Sequence, residues 1–422
     1  MPERFAVAVI GAGLAGLTAA RDISAAGHSV VVFDQNSQVG GRVRSDHVDG
    51  FILDRGFQVL LTAYPAAQRR FNYADLDLQA FAPGVRIHIG DDAHRIGDPF
   101  REPLSAFATL RAPIFQFGDL ARLMFWRRAI TRTPGPNIAA RGQGTTAELF
   151  SALRFSERSI ERFFRPFLAG VFFDPDLATS SRLTELVFRS FFTGDVAIPA
   201  QGMGALPAQL AAPLQHHLRL NTRVERVHET LDAVTVHLTD GDTVQADRVL
   251  VATDPPSASA LTIAGTLGAV PPGLGTTTVY YVADEPPTYA RTLDLGIAAD
   301  GPITTCAVLT NIAASYAPAG KSLISVSLIG TGHDSADTDA LLRTQLARWY
   351  GPLVANWQQL AVYEIAYAQP RQEPRDLVVM ARDVQLSARL YVAGDHRDTG
   401  TIQGALVSGR RAAAAILTEM KG

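Results

Sequence analysis

The stretch AVIGAGLAGLTAA, residues 8–20, sets Gly11, Gly13 and Gly16 between an apolar β-branched run and an alanine-rich one, and no other feature constrains the fold as tightly. FAVAVI (5–10) reads as a buried parallel strand. LAGLTAARDISAAG then reads as a helix carrying Leu14, Leu17 and Ile23 and stopping at Gly27. HSVVVF (28–33) is the next strand and ends at Asp34, 18 residues past Gly16. In a βαβ unit of this kind Gly11 permits the tight turn, Gly13 lets backbone approach phosphate, and Gly16 lets helix and strand pack closely. Free N–H groups at the helix start suit a pyrophosphate, and Asp34 suits ribose hydroxyls. The loop thus predicts a bound dinucleotide without saying which one.

Three further stretches point to FAD rather than NAD. DQNSQVGGRVRS puts Gly40, Gly41 and Arg42 just past the second strand, where a glycine pair brings backbone to the ribityl–pyrophosphate region and Arg42 adds a charge-assisted bond to phosphate. HVDGFILDRGFQVLL reads as a hairpin turning at Asp49-Gly50. Beyond it, Gly56 would pass close to a flat ring, with Phe57 and Gln58 as either ring neighbours or strand residues. LYVAGDHRDTGTIQGALVSGRRAAAAIL (390–417) reads as strand, loop and a helix starting near Ile402 or Gln403. Asp395 suits ribityl hydroxyls, while Gly404 and Ala405 are small enough for contact. The helix N-terminus favours the charge that gathers on a reduced flavin.

With these motifs in place, the chain resembles the FAD-dependent amine oxidase superfamily, nearest its phytoene-desaturase-like and protoporphyrinogen-oxidase-like members. RGFQVLLTAYP, FFRPFLAGVFFDP and IPAQGMGALPAQLA carry that second, narrower resemblance. It implies an α/β fold in which a Rossmann-type FAD-binding domain (1–80, 200–265 and 385–422) interleaves with an α+β substrate domain (81–199 and 266–384) of mixed sheet and helical cap. It also implies non-covalent FAD. The cofactor-binding positions it suggests are Gly11, Gly13, Ala15, Gly16, Asp34, Gly41, Arg42, Gly56, Val224, Asp395, Gln403, Gly404 and Ala405. Val224 would clamp the adenine.

Residues 101–195 read as helical and aromatic, and 275–370 as strand-like runs, TTCAVLTNI among them, interrupted by one helix, DTDALLRTQLARWYG. From 101 to 141 seven arginines face only Glu102 and Asp119, a balance of 7 − 2 = +5. That segment reads as a helical cap with solvated arginines or, less favoured, as a peripheral membrane contact. Phe57, Gln58, Tyr367 and Ile402 are the substrate-pocket candidates.

Amine-oxidising relatives hold a water at flavin N5 with a lysine. Here the 38 basic residues include only Lys321 and Lys421, neither in a matching context, and Ile402 stands where those relatives place an aromatic residue. Hydride transfer from a lipophilic small molecule to flavin N5, a desaturation, is therefore the expected reaction. A flavin amine oxidase, an NAD(P)H-dependent monooxygenase and a redox-neutral carotenoid-type isomerase are the alternatives. For NAD(P)H no second fingerprint is found, since QGMGALP lacks the third glycine and a preceding strand. The electron acceptor stays open. His396, beside Arg397 and Asp398, is the only acid/base candidate, and no metal site is assigned.

A net charge of −3 gives no reason to expect nucleic acid. A lone Cys306 needs no oxidising compartment and lies far from the C-terminal motif, which disfavours a cysteinyl flavin. With no long apolar run and a strand starting near Phe5, the expected location is the cytoplasm, with membrane association as a variant.

Overall fold

The computed structural model describes residues 3–262, 267–268 and 270–421. Its first sheet has seven strands, with Leu218–Arg219, Val30–Phe33, Glu3–Ile10 and Thr243–Val251 running in parallel order. The last of these is long enough for two neighbours on its far side. Its first half borders the antiparallel hairpin Val234–Leu238 and Val224–Glu229, and its second half borders the parallel strand Leu390–Val392. Val30 to Phe33 and Val249 to Val251 are all buried, as expected where both faces of a parallel sheet are covered. One face carries the helices Leu14–Ala25 and Ile402–Glu419, which pack so closely that a Cβ on Gly409 would stand 2.2 Å from the Ala15 carbonyl oxygen.

The second seven-stranded sheet is mixed. Its order is Gln358–Pro370, Gly273–Ala283, Ser322–Ile329, Thr305–Val308, Leu293–Gly296, Gly84–Ile89 and Asp92–Gly97, with only Leu293–Gly296 and Gly84–Ile89 parallel. The helix Ala336–Tyr350 covers one face through Leu342 and Leu346. Toward the other lies a cluster of helices built on aromatic contacts. Trp126 in Phe117–Arg132 sits 4.9 Å from the ring of Phe188 in Ser181–Thr193, and its indole N–H donates to Glu185, itself paired with Arg141. A π-helical turn, Ile160–Phe164, leads into Arg165–Phe172 and brings Phe163 and Phe167 into a parallel stack at 5.9 Å. Such turns recur where a helix must re-aim its side chains.

Three elements differ from the sequence reading. A strand, Val196–Pro199, does precede QGMGALP, but it pairs antiparallel with Leu60–Leu61 and Leu78–Ala80 in a small sheet of its own and not within the parallel one. In TTCAVLTNI the strand ends at Val308 and Leu309–Ile312 is a helical turn. Phe57 and Gln58 belong to a loop between Phe51–Asp54 and Leu60–Leu61, so neither is a strand residue.

Candidate active site

A single cavity of about 1260 Å³ runs from the edge of the parallel sheet to the aromatic helices. That exceeds the ~300–1000 Å³ of an ordinary small-ligand pocket, and leaves room for a large cofactor and a second molecule.

The glycine loop forms one end. Gly11 has φ +107°, and a Cβ there would meet the Ala252 carbonyl oxygen at 2.7 Å. Gly13 caps the first helix without a side-chain hydrogen bond, which leaves the helix's opening N–H groups free to meet an anion. Asp34 is oriented by the loop it faces: one carboxylate oxygen accepts from Ala12 N at 2.8 Å, the other from the backbone and side-chain nitrogens of Asn36. Gly40, at φ +120°, donates its N–H to Ala12 O and bridges to Gly13, locking the second glycine pair against the first loop. Gly13, Ala15, Asp34, Gly41 and Val224 all line this end. Gly16 lies behind the wall, where a Cβ would be 2.0 Å from Gly11 O.

At mid-cavity, residues from both ends of the chain meet. Arg42 donates to Asp395 at 2.6 Å and to the Ala368 carbonyl at 2.9 Å. Burial opposes the charge on Arg42, but the Asp395 carboxylate outweighs it and holds the guanidinium above its usual pKa. The C-terminal helix begins here, with Thr401 capping it by accepting from Gly404 N at 3.1 Å, and Gly400, Thr401, Ile402 and Ala405 lining the wall. Gly404 faces the preceding loop, where a Cβ would stand 1.9 Å from Thr399 O. Gln403 turns away from the cavity and accepts from Ala66 N at 2.8 Å.

Gly56, Phe57 and Gln58 form the next part of the wall. Gly56 (φ +85°) runs against Ile365, and the Phe57 ring meets Phe81 edge-on at 6.3 Å. The Gln58 amide is engaged, donating to Arg42 O and Arg55 O. Tyr367 stands off the wall: its ring lies against Gly273 and its hydroxyl donates to Pro271 O, while Tyr363, Ile365 and Gln369 of the same strand line the cavity. Beyond them the lining is mainly aromatic, with Phe163, Phe167, Phe188 and Phe191 at its centre.

His396 is not on this wall. It is buried, and neither ring nitrogen has a partner among the described residues. Arg397 donates to Asp383 O and Leu267 O, and burial pushes Asp398 up to about 6. None of the three side chains lines the cavity, so they offer it no acid or base. Burial brings His396 down to about 4. The unfolded chain, with an ordinary histidine value near ~6.5, therefore binds the extra proton first. The stability tied to a neutral His396 is complete above that value and is lost as pH falls toward 4, by up to about 3 kcal/mol. His396→Leu should remove this slope. Equilibrium unfolding at pH 7.5 and pH 5 should show the variant gaining on the parent as pH falls, and an unchanged difference would refute the assignment.

Sequence reasoning passed over Asn36 and Thr401, which hold the acid and the helix start in place. A strand-ending acid followed two residues later by Asn was the signal for Asn36, and Thr ahead of an apolar helix the signal for Thr401. Among the described residues no group of three or more His, Cys, Asp or Glu side chains is placed to hold a metal ion. Cys306 is buried in the core of the second sheet, beside the Tyr350 hydroxyl, so it is not a point of covalent attachment.

Comparison with known proteins agrees with this geometry. The profile of the family described as "Flavin containing amine oxidoreductase" matches residues 14–417. A 4,4'-diapophytoene desaturase (4,4'-diaponeurosporene-forming) of Staphylococcus aureus strain Newman is 26% identical over 291 residues, 60% of this chain and 55% of that protein. Phytoene dehydrogenase of Streptomyces griseus is 29% identical over 285 residues, 59% of this chain and 54% of that protein. The chain thus spans about half the length of the curated relatives it matches. Cyclohexylamine oxidase from Brevibacterium oxydans IH-35A shares the fold with a TM-score of 0.73 over 99% of this chain and 100% of that one, at 17% identity. A loop in which Gly11, Gly16 and Gly40 leave no room for a Cβ, an acid beside it and a helix N-terminus at mid-cavity fit FAD held without a covalent bond, and the chain belongs to the flavin-containing amine oxidoreductase family.

Proposed function

We propose that the chain is an FAD-dependent dehydrogenase that desaturates a lipophilic small molecule. The observation that carries this reading is the chemistry of the wall beyond Phe57: mainly phenylalanines and aliphatic side chains, with the charged Asp98, Arg101 and Arg127 held in ion pairs and both lysines elsewhere. Lys321 pairs with Asp284 at the surface, and Lys421 lies in the C-terminal turn. Bound FAD supplies a two-electron acceptor. The chain's own part is to orient a carbon–hydrogen bond and exclude water. Thr276 turns its hydroxyl to Leu328 O, Gln369 gives its amide to Val171 O and Tyr363 donates its hydroxyl to Asp46, so these polar side chains of the wall are already satisfied. A cationic amine would find neither a fixed base nor an aromatic residue at Ile402. An extended hydrocarbon would find contact on every side.

Anaerobic titration tests this. A linear polyene precursor added to the flavin-loaded protein should bleach the flavin absorbance, whereas primary and secondary amines should leave it unchanged. Bleaching by amines alone would reverse the ranking. Loss of NADPH upon adding an aromatic substrate would make the chain a monooxygenase, and conversion of a polyene isomer without bleaching would make it an isomerase.

A further inference from the structure

We propose that the helices Ser105–Arg111 and Phe117–Arg132 lie on an anionic lipid bilayer and open the cavity directly into its apolar layer. Seven of the thirteen exposed large apolar side chains among the described residues fall between Phe100 and Phe125. Leu104 is 90% exposed, Phe117 86% and Phe125 75%, values at odds with a face that meets only water. On the longer helix Phe117, Ala121, Met124, Phe125 and Arg128 recur at helical spacing along one exposed stripe, while Asp119, Trp126 and Ile130 are buried on the other side. Sixteen residues make a rod of about 24 Å, and no helix among the described residues is long and apolar enough to cross a membrane. Such a helix lies in the interface.

Charge selects the occupant. Arg111, Arg128 and Arg132 are exposed and take part in no ion pair among the described residues, and Arg111 rests on the Phe107 ring at 3.9 Å. The acids of the segment are already committed: Asp119 is buried against Ser156 and Gln116, and Glu102 pairs with Arg95. A second copy docking through the same face would set arginines against arginines, whereas anionic headgroups complement them. The lining of the cavity completes the argument. Phe100, Ala106, Leu110, Leu123 and Met124 line the cavity, and Phe100, Leu110 and Met124 are also exposed, so the cavity reaches the surface at this patch. Two ion pairs, Arg127 with Asp98 and Arg101 with Asp195, pin the loop between them.

Docking rests on this geometry alone, and the entry route rests in addition on the dehydrogenase reading. Flotation of the flavin-loaded full chain with vesicles separates the two. The chain should float with phosphatidylcholine vesicles containing phosphatidylglycerol, less with phosphatidylcholine alone, and less again at high salt. Phe117→Asp/Phe125→Asp, two positions outside the cavity wall, should lower partitioning more than ~100-fold with the flavin spectrum and melting temperature unchanged. Arg128→Gln/Arg132→Gln should lower it roughly 20-fold on anionic vesicles only. A parent chain that stays unbound with both vesicle types, or aspartate variants that float as well as the parent, would overturn docking. So would a dimer that the aspartate pair dissolves, because another copy would then be the true cover. If the chain docks yet no polyene bleaches the flavin, docking stands and the entry route falls. If detergent-dispersed polyene is oxidised equally by parent and aspartate variant, and vesicle-borne polyene only by the parent, both stand.

Discussion

Gly16→Ala should yield a chain that purifies without yellow colour and melts well below the parent. The new Cβ would stand 2.0 Å from Gly11 O and 3.2 Å from the Ala252 side chain. Neither neighbour is a flexible side-chain tip. The first is loop backbone held by Gly11 N to Phe33 O, and the second belongs to the central sheet strand's continuation. The helix must therefore lift from the sheet, at a cost of about 3 kcal/mol or more, and its opening N–H groups leave the position from which they face the cavity. Gly27→Ala is the matched control. Unlike Gly16 it has positive φ, +85°, and no atom lies within 4 Å of its Cβ, so only the left-handed penalty of ~1–2 kcal/mol applies. Flavin-to-protein absorbance ratios and melting curves for both variants decide the matter. Equal losses in the two would mean that close packing at Gly16 is not what holds the cradle.

The second large effect is expected at Arg42. Its ion pair with Asp395 joins residues 353 positions apart, and the Asp395 side chain is only 7% exposed. Arg42→Ala strands that carboxylate in a buried site, and removing one partner of such a pair costs about 3–5 kcal/mol. Asp395→Asn should be milder, because Arg42 keeps its bond to Ala368 O and part of its exposure to solvent. The ordering is thus Arg42→Ala worse than Asp395→Asn in both denaturant midpoint and flavin retention. The double variant should fall well short of the sum. An additive pair of losses would show that the two side chains act independently and that the contact at mid-cavity is incidental.

The elements legible in the sequence were those whose burial pattern follows one rule. The run Val30 to Phe33 is apolar because both faces of the parallel sheet are covered, and Asp49-Gly50 joins two strands at a turn that demands positive φ at both residues. The strands Gly84–Ile89 and Asp92–Gly97 escaped because Arg86 and His88, which alternate with Val85 and Ile87, are not simply solvated. They turn inward to Asp294, an ion-paired partner more than 200 residues away that no local pattern announces. The two- to four-residue strands of the small sheet are too short to display any period. At the site, glycines that a Cβ would obstruct could be picked out by spacing alone. Orientation could not: Gln403, Tyr367 and His396 each lie within a turn of the cavity wall, and only the packing around them decides that they face elsewhere.

The strand Thr243–Val251 has the first strand of the chain on one side and Leu390–Val392 on the other, and the helix that follows is clamped on the first helix at Gly409. During synthesis the glycine cradle is therefore made long before the strand and helix that close it. Until Leu390–Val392 and the helix after it emerge, the nascent chain has an open sheet edge and half of a binding site, so uptake of the prosthetic group must follow their synthesis.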